Sequence, residues 1–553
     1  MVRVAAGVTT PAAESDLQAE RDGAVIGMFG VGVGKRAAGV RRLLLNIIPT
    51  AASHPFMTRS ARSSARRAVA RLAVARLAVA LLALTACGLT ACGKADAPTS
   101  TTPPSGTGGN GGSGGGGGGG GSTPAPAATP NVIVILGEAQ GWTSTSVQMD
   151  PALATSKQAQ LKTPGLERIA AEGMRFSNFY APSPRCTPSR AAFFTGRSPA
   201  ALHMTFVGIG TDATTITGPL ETPVAITDMP TNLPTVASLL RTAGYATAHF
   251  GKWHVGRTDP SAYGFDASDG PTNNGGPQNV ANPNPVESYG MTARAQAFIK
   301  QQVAASKPFY VQLSHYAGKA AIDVKPETWT AAKAMMVGQN DAVVGLAATT
   351  LEMDNTIRLL QATIDSLGIG KNTYIMVWSD HGQQTTTYNA PLSNGKGTVW
   401  EGGVRIPFLI SGPKIPAGST SRVQASATDL LPTILDLVGA PVSASITGLE
   451  GGSLKAVLTG NGSGAVTRSR PDFVVHFPHY DFDVIGPAST YLSGNYKLIR
   501  AYEDGSLRLY DLSTDIGEKS DLSKSMPNKV TDLDQKLTSY LTAVGAQLPT
   551  RKP

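Results

Sequence analysis

The chain has few cysteines for its length, and this scarcity excludes one class of protein. Only three cysteines occur among 553 residues, and Cys186 is the only one after residue 92. A fold held together by disulfide bonds needs paired cysteines, so residues 93–553 do not form a disulfide scaffold. A body of this size is expected to be stabilised by a large apolar core instead.

Charged residues are also sparse, and they are unevenly distributed. Only 15% of the residues are Asp, Glu, Lys or Arg, and the formal net charge is +9. Residues 1–92 hold 12 of the 47 basic residues and 4 of the 38 acidic ones, which leaves 35 against 34 in residues 93–553. A nearly neutral body lacks the basic surface that nucleic acids require, so we expect no nucleic-acid partner.

The basic N-terminal region contains a pattern typical of export. After Met57, which we take as the true start, a basic stretch leads into a short apolar run and then into LTACGLTAC. This layout is typical of a secretory signal peptide, and the repeated Leu-Thr-Ala-Cys resembles the lipobox of bacterial lipoproteins, with Cys87 or Cys92 as the lipidated residue. The alternative is a membrane-spanning helix, which the short run, broken by Arg71 and Arg76, disfavours. We therefore predict an exported bacterial lipoprotein, anchored to a membrane in the periplasm or at the cell surface.

Composition divides the chain into four parts. Residues 1–92 are the N-terminal extension and signal peptide, and residues 93–130 are a flexible linker rich in Gly, Ser and Pro. Residues 131–464 alternate apolar runs with helical patterns, which predicts an α/β domain with a large mixed, mostly parallel sheet flanked by helices. Residues 465–553 contain two alternating segments around Asp504-Gly505, which predict a hairpin in a smaller antiparallel subdomain.

Four apolar runs of the predicted α/β domain end in polar residues. NVIVIL leads to Gly137-Glu138, YATAHF to GKWH, PFYVQLS to His315, and YIMVWS to DHG. The first and last runs have the length and β-branched content of buried strands. Ligands of such sheets bind beyond the carboxyl ends of the strands, so we predict that these polar residues meet at one site.

The segment APSPRCTPSRAAFFTG contains the single cysteine of the body. Pro188 suits the first turn of a helix, and SRAAFF can continue that helix. Cys186 then lies at a helix N-terminus, where free N–H groups and the helix dipole favour negative charge and acidify a thiol. The alternative is a small buried side chain without chemistry, which the polar, proline-rich surroundings disfavour.

The CTPSR segment at residues 186–190, followed by TGR at residues 195–197, resembles the signature of type I sulfatases in the alkaline phosphatase superfamily. AGYATAHFGKWHVG, LSHYA, SDHG and GKGTVWEGGVRIPF extend the resemblance from about Asn131 to about Leu512. In that family a separate, formylglycine-generating enzyme oxidises the cysteine to formylglycine, whose hydrate attacks sulfur and later releases the sulfate. The resemblance thus implies covalent catalysis at Cys186 and a maturation enzyme as a partner.

The same resemblance assigns cationic groups to the site. A sulfate ester gains negative charge on its oxygens in the transition state, so fixed cations are needed. Lys252 and His254 in GKWH resemble the sulfate-binding lysine and the formylglycine-contacting histidine, and their spacing puts both on one side of an extended segment. Lys396 resembles the second sulfate-binding lysine, and Arg190 resembles the arginine that steadies the hydrate.

The metal ligands depart from the family pattern. Family members usually carry Asp-Asp after the first strand and Asp-Asn or Asp-His after a later one, and these residues bind Ca²⁺ or Mg²⁺. Asp380 and His381 match the second pair, but Glu138-Ala139 replaces the first. The implied ligands are therefore Glu138, Asp380, His381 and the modified cysteine. Water, Gln140 or the hydrate fills the gap, or the preference shifts toward a softer ion.

A second departure follows LSHYA. The family often has Val-His there, and this histidine protonates the leaving oxygen, whereas this chain has Gly318-Lys319. Lys319 can bind the ester oxygen, but it suits a general acid at neutral pH only if its pKa is lowered. His315 is a further candidate for substrate binding, and its alternative is a packed histidine at a strand end.

The resemblance implies a sulfuric ester hydrolase that cleaves a carbohydrate or aryl sulfate with a divalent metal. A phosphate or phosphonate ester hydrolase of the same superfamily is one alternative, because paired lysines suit either tetrahedral anion. A sulfatase homologue that binds sulfated glycans without cleaving them is another, because of the departures at Ala139 and Lys319.

Overall fold

A computed structural model describes residues 129–207, 216–274, 276, 287–316, 323–384, 389–441 and 446–553. The predictions for residues 1–128, including the lipidation of Cys87 or Cys92, lie outside these residues, and so does Lys319. None of the described helices is both long enough and apolar enough to cross a membrane.

The described strands form one large sheet and three smaller ones. In chain order they are β1 (Asn131–Gly137), β2 (Gly173–Phe176), β3 (Phe179–Tyr180), β4 (Leu220–Glu221), β5 (Ala246–Gly251), β6 (Ala267–Ser268), β7 (Phe309–Ser314), β8 (Thr373–Ser379), β9 (Phe408–Ser411), β10 (Ser419–Ser421), β11 (Ala425–Ser426), β12 (Phe473–Phe477), β13 (Ala488–Ser493), β14 (Tyr496–Ala501), β15 (Leu507–Asp511) and β16 (Thr550–Arg551).

The helices pack around these sheets. The α-helices are α1 (Pro164–Glu172), α2 (Cys186–Thr195), α3 (Pro199–Leu202), α4 (Val236–Thr242), α5 (Ser288–Ala304), α6 (Pro326–Met335), α7 (Asp341–Ser366), α8 (Glu401–Val404), α9 (Leu430–Leu437), α10 (Lys455–Thr459) and α11 (Pro527–Ala543). Short 3-10 turns cover Pro260–Tyr263, Gly370–Asn372 and Ala427–Asp429.

The large sheet has eight strands in the order β10-β2-β9-β8-β1-β7-β5-β6. It is mostly parallel, and β9 is the strand that runs antiparallel to both of its neighbours. Side chains alternate between its faces. Val132, Val134 and Leu136 of β1 pack with residues of α2, α4 and α9, while Ile133 and Ile135 pack with residues of α1, α5 and α7. Helices therefore cover both faces, which explains why β1 is apolar from Val132 to Leu136.

The four predicted runs are the central strands β1, β5, β7 and β8, each matched to within one residue at either end. β1 pairs in parallel with both β7 and β8, and β5 pairs in parallel with β7. Gly137 lies opposite Ser379, and Gly251 lies opposite Ser314. The polar residues that follow these strands are therefore neighbours at one edge of the sheet.

The predicted hairpin is also present, in a four-stranded antiparallel sheet of order β12-β13-β14-β15. β14 and β15 are joined by a turn in which Gly505 has φ of +70°, a conformation that glycine adopts at low cost. One set of its side chains packs on α11, and another packs on Val399, Trp400 and Val404. The small sheet thus contacts the segment that follows Lys396.

Candidate active site

Cys186 is the first residue of α2, as the proline pattern predicted, and its side chain is fully buried. Its Sγ lies 3.3 Å from Glu138 Oε1 and 3.2 Å from His381 Nε2. Glu138 follows β1 and His381 follows β8, so the parallel pairing of these strands brings both side chains to the start of α2. Residues more than 190 positions apart thereby form one site.

Three cationic side chains converge on the Glu138 carboxylate. Lys252 Nζ lies 2.7 Å and Arg190 Nη2 3.1 Å from Oε2, while Lys396 Nζ lies 3.4 Å from Oε1. Arg190 also donates through Nε to Asp380 Oδ2 at 3.0 Å. Three cations thus face two carboxylates, and the side chains of Lys252 and Arg190 have almost no contact with solvent.

These charges perturb the acids of the site. Burial by itself raises the pKa of Glu138, but Lys252, Lys396 and His381 outweigh burial and hold the pKa well below its usual range. Burial and Glu138 raise the pKa of the Cys186 thiol, but the same three cations lower it to about 6. An acidified thiol was predicted from the helix N-terminus, and the neighbouring lysines and His381 provide a further cause.

His381 is oriented by its own backbone. Its Nδ1 donates to the carbonyl oxygen of Gly382 at 3.0 Å, so Nε2 faces Cys186 and the two carboxylates. Burial lowers the pKa of His381, but the Asp380 carboxylate outweighs burial and raises the pKa to about 9. A metal ion bound at Nε2 would take the place of the proton there.

Glu138, Cys186, Asp380 and His381 form a group that could hold a metal ion. One potential ligand atom from each lies within 4.8 Å of the others, and all four residues are buried. A fixed imidazole and two carboxylates fit a divalent ion with a small protein ligand set. They are fewer than the six to eight oxygen ligands that Ca²⁺ takes, so water or substrate oxygens would complete the shell of that ion.

Gln140 does not fill the gap that Ala139 leaves. Its side-chain oxygen accepts hydrogen bonds from Thr350 Oγ1 at 2.9 Å and Ser144 Oγ at 3.3 Å, away from the ligand group. Ala139 itself has φ of +53°, and its backbone N–H donates to Asp380 Oδ1 at 3.2 Å. A non-glycine residue in the left-handed region is uncommon, and aspartate tolerates that region better than most residues.

The structure differs from the prediction at His254. The predicted extended segment ends before it, because His254 has φ of +55°, in the left-handed region. Its carbonyl oxygen accepts a hydrogen bond from Thr187 Oγ1 at 2.8 Å, which places its backbone beside the start of α2. The two-residue spacing from Lys252 therefore does not set the direction of the His254 side chain, although both residues are buried near Cys186.

His315 lies directly after β7, and its backbone N–H donates to the carbonyl oxygen of Leu136. It lines a small cavity together with Glu138, Asp323 and Glu352. Its Nε2 has no hydrogen-bond partner in the described part of the chain. Burial and Arg190 lower its pKa to about 3, so the ring is neutral. Its role in substrate binding stays a prediction, as does that of Lys319.

Sequence reasoning missed Arg185 and Asp481. Arg185 precedes Cys186, and its guanidinium makes two hydrogen bonds to the Asp481 carboxylate, with both side chains almost fully buried. Gly397 packs against the same carboxylate, since a Cβ there would lie 2.8 Å from Asp481 Oδ2. The pair thus ties the start of α2 to the turn that carries Lys396. Two residues 296 positions apart leave no spacing from which a single sequence could show this pair.

The sequence model of the family described as Sulfatase matches residues 130–440, which is more than half of the chain. The chain belongs to the sulfatase family. A second model, described as N-sulphoglucosamine sulphohydrolase, C-terminal, matches residues 394–547. The resemblance inferred from the CTPSR signature is therefore confirmed.

Known members of the sulfatase family align with most of the described chain. N-acetylgalactosamine-6-sulfatase of Canis lupus familiaris is 32% identical over 360 residues, which cover 58% of this chain and 65% of that protein. Arylsulfatase A of Homo sapiens is 28% identical over 494 residues, which cover 77% of this chain and 89% of that protein. The chain thus spans just under two thirds of the length of the first relative.

Solved structures of sulfatases share the fold. Ps i-CgsB in complex with k-i-k-neocarrahexaose has a TM-score of 0.60 at 23% identity, covering 75% of this chain and 93% of that chain. The PsFucS1 sulfatase from Pseudoalteromonas sp. has a TM-score of 0.57 at 23% identity, covering 75% and 90%. The predicted class, a large mixed and mostly parallel sheet with a smaller C-terminal antiparallel sheet, is confirmed.

Proposed function

We propose that this protein hydrolyses a sulfate ester of a carbohydrate or aryl alcohol, with a formylglycine derived from Cys186 and a divalent metal. The observation that supports this most is the convergence of Arg190, Lys252 and Lys396 beside Cys186. Buried cations in excess of their carboxylates are costly unless an anion joins them. A sulfate group bound at residue 186 would supply that anion.

The residues of this chain have separable tasks in such a reaction. Lys252 and Lys396, on opposite oxygens of Glu138, are placed to hold the sulfate oxygens and to neutralise the charge that grows on them. Arg190 holds Glu138 and Asp380 in place through its two hydrogen bonds. His254 and Lys319 stay candidates for the contact with the modified side chain and for protonation of the leaving oxygen.

Formylglycine would supply a nucleophile that forms a sulfate ester and then releases the sulfate without a second nucleophile. Glu138, Asp380 and His381 would hold the metal, which would neutralise charge on the sulfate. The resemblance to the family favours Ca²⁺ or Mg²⁺, whereas the loss of one carboxylate and the presence of one imidazole favour a borderline ion such as Zn²⁺. Direct titration with Ca²⁺, Mg²⁺ and Zn²⁺ distinguishes these ions.

The proposed function includes export and maturation. The signal pattern from Met57 and the two lipobox cysteines support a lipoprotein held at the membrane, in the periplasm or at the cell surface. Cys186 would be oxidised by a formylglycine-generating enzyme, which is the partner required during maturation. The similarity to an N-acetylgalactosamine-6-sulfatase and to a protein solved with k-i-k-neocarrahexaose supports a sulfated sugar as the substrate.

Mass spectrometry of the peptide around Cys186, from protein made in a host that has the modifying enzyme, tests the proposal. The peptide should carry an aldehyde in place of the thiol. Turnover of an aryl sulfate should disappear in Cys186→Ala while the circular dichroism spectrum is unchanged. Full turnover with an intact thiol would contradict the mechanism, and faster turnover of the matching aryl phosphate would favour the phosphate ester hydrolase.

A further inference from the structure

Residues 481–484, here called the rim strap, lie beside Lys396 and alternate between buried acids and exposed apolar side chains. Asp481 and Asp483 are buried, whereas Phe482 is 50% exposed and Val484 is 92% exposed. The segment consists of bends followed by a turn, which Gly486 N–H closes by donating to the Asp483 carbonyl oxygen, and its two acids face inward. It therefore presents an aromatic ring to solvent next to the proposed sulfate-binding lysine.

The two buried acids of the rim strap are held by hydrogen bonds, so the exposed Phe482 lies on an ordered segment. Asp481 accepts two hydrogen bonds from Arg185. Asp483 accepts hydrogen bonds from the backbone N–H of Val399 and from Trp400 Nε1, each at 3.2 Å. A ring held in this way loses little conformational entropy when a ligand packs on it, which favours binding.

Phe482 lies between the turn that carries Lys396 and a surface groove. A Cβ on Gly397, next to Lys396, would lie 3.0 Å from Phe482 Cδ2. The Arg185 guanidinium carbon lies 5.1 Å from the Phe482 ring centre and 5.8 Å from that of Phe206. Phe206 in turn lines a groove of about 440 Å³. Phe482 beside the Lys396 turn and Phe206 in the groove lining thus both pack on the Arg185 guanidinium.

The groove carries almost no charge. Residues 198–240, which supply most of its described lining, contain no lysine or arginine. Lys552 and Glu221 are the charged residues of the described lining, and they carry opposite charges. His479 bonds Thr205 Oγ1 at 2.8 Å, and burial lowers its pKa to about 3, so its ring is neutral. A second anionic group on a substrate would find, among these described residues, only Lys552 as a cation, and its Nζ already donates to the Gly218 carbonyl oxygen at 2.8 Å.

The groove is apolar and hydroxylated at the same time. The lining contains apolar side chains, which include Val207, Leu220 and Ala225. It also contains the hydroxyl side chains of Thr217, Thr222, Thr227 and Tyr480. A sugar ring has the matching surface, because its C–H face is apolar and its edge carries hydroxyl groups. The electron-rich face of an aromatic ring attracts such C–H groups, as it attracts the positive edge of another ring.

We propose that Phe482 stacks on a neutral sugar ring whose sulfate is its single charge, and that the groove beside Phe206 receives the uncharged remainder of that sugar. This inference rests on the proposed function, because it places the sulfate at Lys252 and Lys396. It narrows the substrate class to monosulfated neutral sugars. An additional sulfate or carboxylate would lose its hydration and would find only Lys552 as a cation in the described lining, which opposes its binding.

Binding to the Cys186→Ala protein, measured by isothermal titration calorimetry, tests the inference without turnover. The probes are N-acetylgalactosamine 6-sulfate and N-acetylgalactosamine 4,6-disulfate, a pair that differs by one sulfate. The monosulfate should bind at least about tenfold more tightly. Adding Phe482→Ala should weaken monosulfate binding by about three- to tenfold, whereas Val484→Ala on the same strap should leave it unchanged. Phe482→Tyr should keep the affinity of the original ring.

Two outcomes would overturn the inference and leave the proposed function intact. These are monosulfate binding that is equal in Phe482→Ala and its parent, and a disulfate that binds as tightly as the monosulfate. A different pattern marks failure of the proposed function itself. In that case the Cys186→Ala protein binds neither sugar nor inorganic sulfate, the formylglycine-bearing protein hydrolyses no sulfate ester, and both conclusions fall together.

Discussion

The Asp481→Ala substitution would leave the Arg185 guanidinium buried without its carboxylate. The Arg185 side chain is 5% exposed and that of Asp481 is 0% exposed, so water cannot replace the lost partner. Removing one member of a buried ion pair costs about 3–5 kcal/mol. A domain has a total stability of about 5–15 kcal/mol, so this loss is large, and it falls beside the first residue of α2.

Urea unfolding followed by tryptophan fluorescence measures that cost. The double variant Arg185→Met/Asp481→Ala also removes the buried guanidinium charge. It should therefore recover most of the free energy of unfolding that Asp481→Ala loses. Asp365→Ala is a matched control, because the Asp365 pair with Arg168 is exposed and should contribute less than about 1 kcal/mol. The reasoning is refuted if Asp481→Ala costs no more than the control, or if the double variant is no more stable than the single one.

Three further predictions concern the site. Ala139→Asp should raise Ca²⁺ affinity about tenfold or more in calorimetric titration, because it adds a carboxylate to the ligand group; an unchanged affinity would mean that other residues bind the ion. Lys252→Met should raise the Cys186 thiol pKa from about 6 by about one to three units, because Lys252 favours the thiolate. The ultraviolet absorbance of the thiolate against pH, in protein made without the modifying enzyme, should then appear at higher pH, and a midpoint that stays near 6 would contradict this cause. Gly397→Ala should lower the melting temperature and cost about 1–3 kcal/mol, because φ is +79° and the new Cβ would meet Asp481; an unchanged melting curve would show that the turn relaxes.

The sequence predicted the parts of the fold that follow from local pattern. Apolar runs with polar ends located β1 and β8 and placed Glu138 and Asp380 at one edge of the sheet. Pro188 located the start of α2. These predictions succeed because strand length, alternation and helix entry are set by neighbouring residues, and because parallel strands bring their ends together.

The parts that could not be predicted depend on distant contacts or on single backbone angles. The partnership of Arg185 with Asp481 forms only when the small sheet packs on the large one. Histidine adopts the left-handed conformation more often than most residues, but it does so rarely, so the identity of His254 could not predict its φ of +55° and an extended segment was expected. The convergence of three cations on Glu138 also needed the structure, since a spacing along the chain does not say which carboxylate a lysine will meet.

The segment around Lys396 is held by residues near the C-terminus, and this limits how far the chain can be truncated there. Ser393 and Glu401, on either side of that segment, both bond Glu518, while Val399 and Trp400 bond Asp483. The acceptors of all four hydrogen bonds, Glu518 and Asp483, lie after residue 464, which is the predicted end of the α/β domain. A fragment that ends there would retain every strand of the main sheet, yet Lys396, a proposed sulfate-binding residue, would lie on a turn without these four contacts. The residues beyond 464 therefore help to fix Lys396, and a fragment that ends there would also lose the Asp481 carboxylate that pairs with buried Arg185, so it should be less stable and should lose turnover.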